Sequence, residues 1–258
     1  DLPKYFDGEQ VTSKLQKAIH YIIGTEFDVA LNTTLNVEAY YKDFRQLTSM
    51  NRNQVYSVED APIGTPEIEK KDFMVERGKA YGLDFSLKYD SHRWYLWGAY
   101  SLGYVNKDYE DSNGDIHTYR THYDRRHNVN LLATYTAGTK NQWELSARWN
   151  FGTGFPFTKV TGFYEELPYN NIDFDPYTES GYLGILYDEL NTGQMPTYHR
   201  LDIDIKRKFY FSENVLLEAN FGITNVYNRE NIFYIDIVSA EFIYQLPLMP
   251  SLGLTLSF

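Results

Sequence analysis

The chain has 258 residues, with 24 Lys+Arg against 35 Asp+Glu and a formal net charge of −11. With no cluster of five or more Lys/Arg, it excludes nucleic acid as the main partner, because a phosphate-tracking protein needs a basic stripe. Cysteine is absent, which removes disulfides, thiolate metal sites and a Cys nucleophile together.

Aromatics make up 17% of the chain, as 24 Tyr, 16 Phe and 4 Trp, yet mean hydropathy is only −0.50. Amphipathic rings in such number belong where an apolar layer meets water. No run of about 18 apolar residues is present, so no transmembrane helix is expected. The opening Asp1-Leu2-Pro3-Lys4-Tyr5 lacks the basic-then-apolar pattern of a signal peptide; the expectation is a removed leader or a chain that begins mid-protein.

Period two, not helical spacing, runs through the chain. In order, strands are predicted over 19–28, 35–42, 81–89, 94–105, 128–136, 142–151, 201–209, 217–224 and 250–258. In the third, Tyr81, Leu83, Phe85, Leu87 and Tyr89 alternate with Gly82, Asp84, Ser86 and Lys88. The sixth sets Trp143, Leu145, Ala147, Trp149 and Phe151 against Gln142, Glu144, Ser146, Arg148 and Asn150. In the seventh, Leu201, Ile203, Ile205 and Phe209 oppose Asp202, Asp204, Lys206 and Lys208, and Arg207 breaks the rule. β-Branched and aromatic enrichment supports these nine strands, and no helix is needed.

The connections alternate in length. Leu31-Asn32-Thr33, Asp90-Ser91-His92, Gly138-Thr139-Lys140 and Ser212-Glu213-Asn214 are tight turns, whereas about 48–72, 106–127, 152–198 and 225–249 are long. Short turns at one end and long loops at the other describe an outer-membrane β-barrel. A soluble core would need a second layer over the apolar faces; in lipid those faces meet hydrocarbon directly, and Glu26, Glu38, Asp84, Glu144, Arg148, Asp202, Lys206 and Glu218 point into a wet or plugged lumen. A lipocalin-like soluble barrel is the competing fold.

The last strand ends Leu252-Gly253-Leu254-Thr255-Leu256-Ser257-Phe258. Leu252, Leu254, Leu256 and the terminal Phe258 look like the signal by which outer-membrane barrels are handed to their assembly machinery. Further stretches are Gly78-Lys79-Ala80-Tyr81-Gly82-Leu83-Asp84, Asp124-Arg125-Arg126-His127-Asn128, Arg200-Leu201-Asp202-Ile203, Asn225-Val226-Tyr227-Asn228 and Leu246-Pro247-Leu248-Met249-Pro250-Ser251-Leu252-Gly253. With these, the chain resembles the C-terminal barrel portion of a TonB-dependent outer-membrane receptor, an energised importer. The resemblance implies a 22-stranded barrel with an N-terminal plug, location in the bacterial outer membrane, and no enzymatic activity or cofactor. Its implied partners are outer-membrane lipids, the remainder of the barrel and plug, the TonB energy-transducing complex reached through the N-terminal part, and a surface lipoprotein lid.

Strand parity points the same way. In an antiparallel barrel an odd count would bring the first and last strands together in parallel, so residues 1–258 are expected to be a partial barrel of nine strands. A segment at 231–245, with Phe233, Ile235, Ile237 and Phe242, is expected as a hairpin arm of the last long loop, not a tenth strand.

Among candidate sites, the third long loop stands out: Glu165, Glu166, Asp173, Asp175, Glu179, Asp188 and Glu189 face Lys159 alone. Tyr164, Tyr169, Asp173, Asp175, Tyr177, Tyr182 and Tyr187 are its candidate ligand contacts, suited to sugar faces and hydroxyls or to a cationic peptide by stacking and hydrogen bonding. Packing among neighbouring loops is the plainer role for any one of them. Asp173-x-Asp175 lacks the Gly and Glu of a calcium loop. His117, His122 and His127 are five apart, which in a strand sends alternate members to opposite faces, so no metal site is expected.

Import of a glycan, peptide or metal-chelate ligand is the leading functional expectation. A smaller porin or outer-membrane enzyme is the alternative, marked by an unplugged conductance or a lumen-facing Ser/His/Asp set. An adhesin or assembly component is the third, marked by protein bound at the loops without uptake.

Overall fold

The computed structural model describes residues 5–6, 9–10, 15–51, 70–111, 113–166, 182–212, 215–236, 239 and 241–258. Those residues form strands without any helix. In chain order the strands are β1 (Tyr5–Phe6), β2 (Glu9–Gln10), β3 (Lys17–Ala30), β4 (Thr33–Met50), β5 (Phe73–Asp90), β6 (Trp94–Glu110), β7 (Ile116–Arg120), β8 (His127–Ala137) and β9 (Trp143–Gly152). They continue as β10 (Pro156–Phe157), β11 (Val160–Glu166), β12 (Tyr182–Tyr187), β13 (Gly193–Gln194), β14 (Tyr198–Tyr210), β15 (Leu216–Thr224), β16 (Ile232–Asp236), β17 (Glu241–Tyr244) and β18 (Met249–Ser257).

Each of the nine predicted strands has its counterpart in one antiparallel sheet of order β18-β15-β14-β9-β8-β6-β5-β4-β3, with β7 added beside the far end of β6. Consecutive strands of this sheet are neighbours throughout, the simplest meander. The short strands pair in the loops: β1 with β2, β11 with β12 and β16 with β17 as sequential neighbours, and β10 with β13 on either side of the β11–β12 pair. Among the described residues β16 pairs with β17 alone, through Ile235↔Phe242 and Asp236↔Glu241, so this segment is the expected arm and adds no strand to the sheet.

Several strands run further than their alternation predicts. β5 begins at Phe73, not 81, because the face bearing Tyr81, Leu83 and Phe85 carries Lys79 and Arg77 below Tyr81 in sequence. The hydrogen-bond ladder ignores that change and continues through Asp43↔Lys79 and Ser49↔Met74. Hydrophobic alternation thus reports where the apolar layer ends, and the ladder extends beyond it.

Register places the apolar sets of all nine strands on a single face. Directly paired residues share a face, and the pairs include Ile23↔Ala39, Ala39↔Leu83, Leu83↔Leu102, Leu131↔Trp149, Trp149↔Leu201, Ile205↔Phe221 and Phe221↔Leu252. At the long-loop margin, Tyr21↔Tyr41↔Tyr81↔Tyr104 form one row, with ring centroids 6.3 Å apart in the first pair and 5.1 Å in the last. Near the short-turn margin Trp94 lies against Tyr135 at 4.5 Å. Between these margins the segment Tyr81–Tyr89 matches the roughly 9–11 residues that a tilted strand needs to cross hydrocarbon. Arg207, the exception in its strand, pairs with Trp143 and lays its guanidinium 4.5 Å from the rings of both Trp143 and Phe209. It therefore sits at the aromatic margin, where a long cationic side chain reaches water.

The other face is polar and internally bonded. Lys206 meets Glu144 at 3.3 Å and Lys208 meets Glu218 at 3.5 Å, while Asn150 donates to Asn130 at 2.6 Å and the Thr134 and Ser146 hydroxyls are 3.1 Å apart. Gly82 and Gly103 are paired here because the Tyr40 ring lies across them: a Cβ on Gly82 would come within 2.3 Å of the Leu102 carbonyl and 2.6 Å of the Tyr40 hydroxyl. Asn32 (φ 59°) and Gly138 (φ 92°) close two of the tight turns from the left-handed region. Of the predicted turn Ser212-Glu213-Asn214, residues 213–214 lie outside the described residues.

Burial is inverted relative to a soluble domain. Among the described residues Ala80, Tyr119 and Pro156 are the buried apolar side chains, whereas Glu76, Asp124, Thr121, Asn51, Asn225 and Asn231 are buried and polar. Leu83, Phe85, Leu87, Leu131, Leu145, Leu252 and Leu254 are all exposed. A contiguous exposed apolar band of this extent has no place in water.

Candidate ligand site

The long-loop end is held by buried polar clusters. Glu76, fully buried on the polar face of β5, accepts from the Ser49 hydroxyl, from Tyr119 Oη at 3.0 Å and from Lys107 Nζ at 3.3 Å. It ties β4, β5, β6 and β7 together, with the charge of Lys107 offsetting its desolvation. Asp124, also fully buried, takes Arg120 Nε at 2.9 Å and Arg126 Nε at 3.3 Å on one oxygen and the Val105 amide at 3.2 Å on the other. The Asp124-Arg125-Arg126 motif is thereby explained as a brace between the second long loop and β6.

Arg125 points elsewhere, its guanidinium 4.1 Å from the Phe155 ring and 5.5 Å from that of Tyr198. Burial lowers its pKa from the ordinary arginine value, and the stacked rings offset part of that desolvation. A Cβ on Gly152 would meet Arg125 at 2.7 Å, so glycine there admits the stacked cation.

The last long loop is organised by asparagines. Asn225 (φ 56°) is fully buried; its side chain donates to the carbonyls of Arg229 at 2.9 Å and Leu246 at 3.1 Å and accepts the Arg229 amide at 3.0 Å. Its own amide donates to Asp202 Oδ1 at 2.9 Å, which joins the Arg200-Leu201-Asp202 and Asn225-Val226-Tyr227-Asn228 stretches in one cluster. Asn231 exchanges two bonds with the His199 backbone, at 2.9 and 3.2 Å. The third loop is fastened to the second by Asn191, which donates to the Arg120 carbonyl at 2.6 Å and bonds Thr158 through both its amide and its side-chain oxygen.

Between these braced loops lies a cavity of about 540 Å³. Phe155, Phe157, Met195, Tyr187, Phe233 and Tyr234 form its apolar wall, and His122, Tyr123, Thr158, Asn191 and Asp236 add polar edges. That volume is within the range of small-molecule sites.

Of the loop residues picked from the sequence, Tyr187 lines this cavity. Tyr164 is exposed on the β11–β12 arm, with its ring over Gly184, its directly paired neighbour. Tyr182 begins β12. Tyr169, Asp173, Asp175 and Tyr177 lie outside the described residues. The remaining wall residues escaped sequence reasoning, since Phe155 and Phe157 lie at the two-residue strand β10, too short to show alternation and paired with the distant β13, and Phe233 was a strand candidate only. Their signal was aromatic density in two different long loops.

The histidines serve separate ends. His117 Nε2 is 2.9 Å from Asp111 Oδ2, His122 stands at the cavity edge, and His127 Nδ1 is 2.8 Å from the Tyr100 hydroxyl. No group of three or more potential metal-ligating side chains occurs among the described residues. At the opposite end, Leu252, Leu254 and Leu256 stand exposed on the apolar face of β18, opposite Phe221, Ala219 and Leu217, and Phe258 is exposed beyond the strand.

The sheet order, its one-sided apolar band and its length-sorted connections define the wall of an outer-membrane-type β-barrel. Its fold is similar to the β-barrel wall of TonB-dependent outer-membrane receptors, the family that the resemblance named. Among solved structures, the pyoverdine outer-membrane receptor FpvA of Pseudomonas aeruginosa PAO1 bound to pyoverdine matches with TM-score 0.61 and 11% identity over 97% of this chain and 31% of its own. A ferripyoverdine receptor of the P. aeruginosa outer membrane gives TM-score 0.58 and 11% identity over 95% of this chain and 28% of its own. The ferric-catecholate import receptor Fiu of E. coli K12 gives 0.57 and 14% over 93% and 27%. The chain thus spans less than a third of the receptors it is similar to. No family model and no curated protein matches the sequence.

Proposed function

We propose that residues 1–258 are the C-terminal barrel wall and outer loops of an energised importer in the bacterial outer membrane. One observation carries this reading: nine strands place their apolar residues on a single exposed face in continuous register, while the buried side chains are mostly polar. Such a surface is stable only against hydrocarbon, and the tyrosine row marks where hydrocarbon gives way to headgroups. The likeness to a ferric-catecholate import receptor and to a ferripyoverdine receptor supports transport over catalysis.

In this reading β3 and β18, the outermost strands of the sheet, pair with the remainder of the barrel, because an open edge of that length in lipid would leave a row of backbone groups without partners. Leu252, Leu254, Leu256 and Phe258 present the assembly signal. Long loops carry the ligand contacts, and a plug encoded before these residues couples to TonB.

Mass spectrometry of the natural polypeptide recovered from outer-membrane fractions tests the proposal. The expected product extends well before Asp1 and is large enough for a plug and a 22-stranded barrel. A complete 30.3 kDa product beginning at Asp1, or recovery from the soluble fraction, would overturn it.

A further inference from the structure

The outward face of the sheet changes chemistry just beyond the tyrosine row. On β5 the alternation of burial continues past Tyr81 toward the long loops: Glu76, Gly78 and Ala80 are buried, whereas Val75, Arg77, Lys79 and Tyr81 are exposed. Arg77 and Lys79 therefore share the side of Tyr81 and Leu83 and point away from the lumen. A strand rises about 3.3 Å per residue, so at a tilt of about 45° Lys79 stands about 5 Å and Arg77 about 9 Å farther out along the membrane normal than Tyr81. That is the depth of the lipid headgroups.

Neighbouring strands extend the patch. Lys79 pairs with Asp43 and Asn106, Asn106 with Arg120, and Arg77 with Asp108, while the Arg126 guanidinium lies 4.3 Å from the Tyr104 ring. Its carboxylates are already engaged. Asp43 takes Arg45 at 3.1 Å, Asp108 accepts the Thr118 hydroxyl at 2.6 Å, and the buried Asp124 takes Nε of both Arg120 and Arg126. The cations Arg45, Arg77, Lys79, Arg120 and Arg126 thus outnumber Asp43, Asp108 and Asp124, and among the described residues Arg77 and Lys79 make no hydrogen bond or ion pair. Glu110, the next carboxylate on this face, stands beyond Arg77 and farther from the hydrocarbon.

We infer that this patch holds a phosphorylated glycolipid of the outer leaflet through more than one phosphate group. The inference rests on the outer-membrane reading above and gives it a specific lipid partner. Charge demands an anion, because lysine and arginine at headgroup depth are attracted to anionic lipid. Position favours a lipid over a soluble anion: the exposed Leu83, Phe85 and Leu87 lie directly below on the same strand and would receive the acyl chains of the same molecule. Width favours several phosphates, since β5 to β7 is two strand spacings, about 10 Å. Arginine forks match phosphate oxygens bidentately, and Asp124 fixes two of them by their Nε atoms.

Native mass spectrometry of the full natural polypeptide, released from detergent micelles after addition of diphosphoryl lipid A or phosphatidylglycerol, tests this. Diphosphoryl lipid A should be retained in preference to phosphatidylglycerol, and excess inorganic phosphate should not displace it. Arg77→Gln combined with Lys79→Gln should lower lipid A retention by at least about fivefold, with heat-modifiable gel mobility confirming an intact barrel. Arg207→Gln, on the same face at the opposite margin, should leave retention unchanged. No retention of lipid A, equal retention of phosphatidylglycerol, displacement by inorganic phosphate, indifference to the double substitution, or an equal loss in Arg207→Gln would each overturn the inference. The mass measurement above bears on the receptor reading and lipid retention bears on the patch, so the two can fail separately.

Discussion

The spanning wall and the long-loop layer follow opposite rules within one chain. In the wall, side chains alternate faces, apolar residues are exposed and polar ones pair across strands, as Lys206 does with Glu144. In the loop layer, carboxylates and asparagines are buried: Glu76, Asp124 and Asn225 are the most enclosed side chains, and aromatic rings gather around a cavity. The difference follows from what each region has outside it. The wall has hydrocarbon on one side and needs no core. The loop layer has water on its outside and too few residues for a hydrophobic core, so it fastens irregular backbone with charge-assisted bonds.

The largest expected effect lies in the wall. Leu83→Arg or Leu145→Arg should lower the stability of the lipid-inserted polypeptide by about 2–4 kcal/mol near mid-bilayer, whereas Ser146→Arg on the opposite face should be tolerated. Guanidinium unfolding from vesicles, followed by tryptophan fluorescence, compares them directly, and equal losses would show the two faces to be wrongly distinguished.

Next comes the loop layer. Glu76→Ala removes the acceptor of Ser49, Tyr119 and Lys107 together and should destabilise by about 2–3 kcal/mol, because Lys107 loses its counter-charge in a largely enclosed site. If the contrast between regions is sound, this loss appears as increased amide exchange in β7 while the lower parts of β5 and β6 stay protected. A uniform change in both would blur the distinction.

A smaller effect belongs to the boundary. Arg207→Ala deletes two cation–π contacts and should cost about 0.5–1 kcal/mol, read in the same vesicle unfolding. A greater loss than that of Leu145→Arg would mean that the margin, not the interior of the band, anchors the wall.

The smallest effect concerns a loop carboxylate. Asp111 has its pKa lowered chiefly by the hydrogen bond from His117, with further bonds from the Asp115 and Asn113 amides. A depressed folded-state value means that this group's stabilisation is complete above the ordinary carboxylate pKa and disappears as pH falls through the lowered one. Protection factors of the Asn113 and Asp115 amides should therefore fall on acidification through that range, and Asp111→Asn should flatten the dependence. An unchanged profile in Asp111→Asn would assign the effect to another group.

Much of the wall was legible because period two is a local property. Trp143 to Phe151 alternate without interruption, so sequence alone assigns each a face, and the length-sorted connections orient the strands. The hairpin arm at 231–245 was legible as well, both of its strands lying in the expected segment. The loop layer was opaque for a physical reason: its contacts join residues distant in sequence and obey no period. Ser49, Glu76, Lys107 and Tyr119 come from four strands, and nothing in their local sequence announces that they meet. Tyr187 was chosen for its acidic, aromatic neighbourhood and does line the cavity, but Phe233 reaches the same cavity from another loop.

The sequence by itself determined the nine strands of the main sheet, the residues on their shared apolar face and the sorting of short and long connections, since each depends on alternation or spacing along the chain. Only the tertiary structure decided the register that aligns Tyr21, Tyr41, Tyr81 and Tyr104 in one row, the burial of Glu76 and Asp124, and the cavity walled by three segments. Those properties arise between strands and loops, where the energy of a contact depends on which distant residue the fold brings opposite.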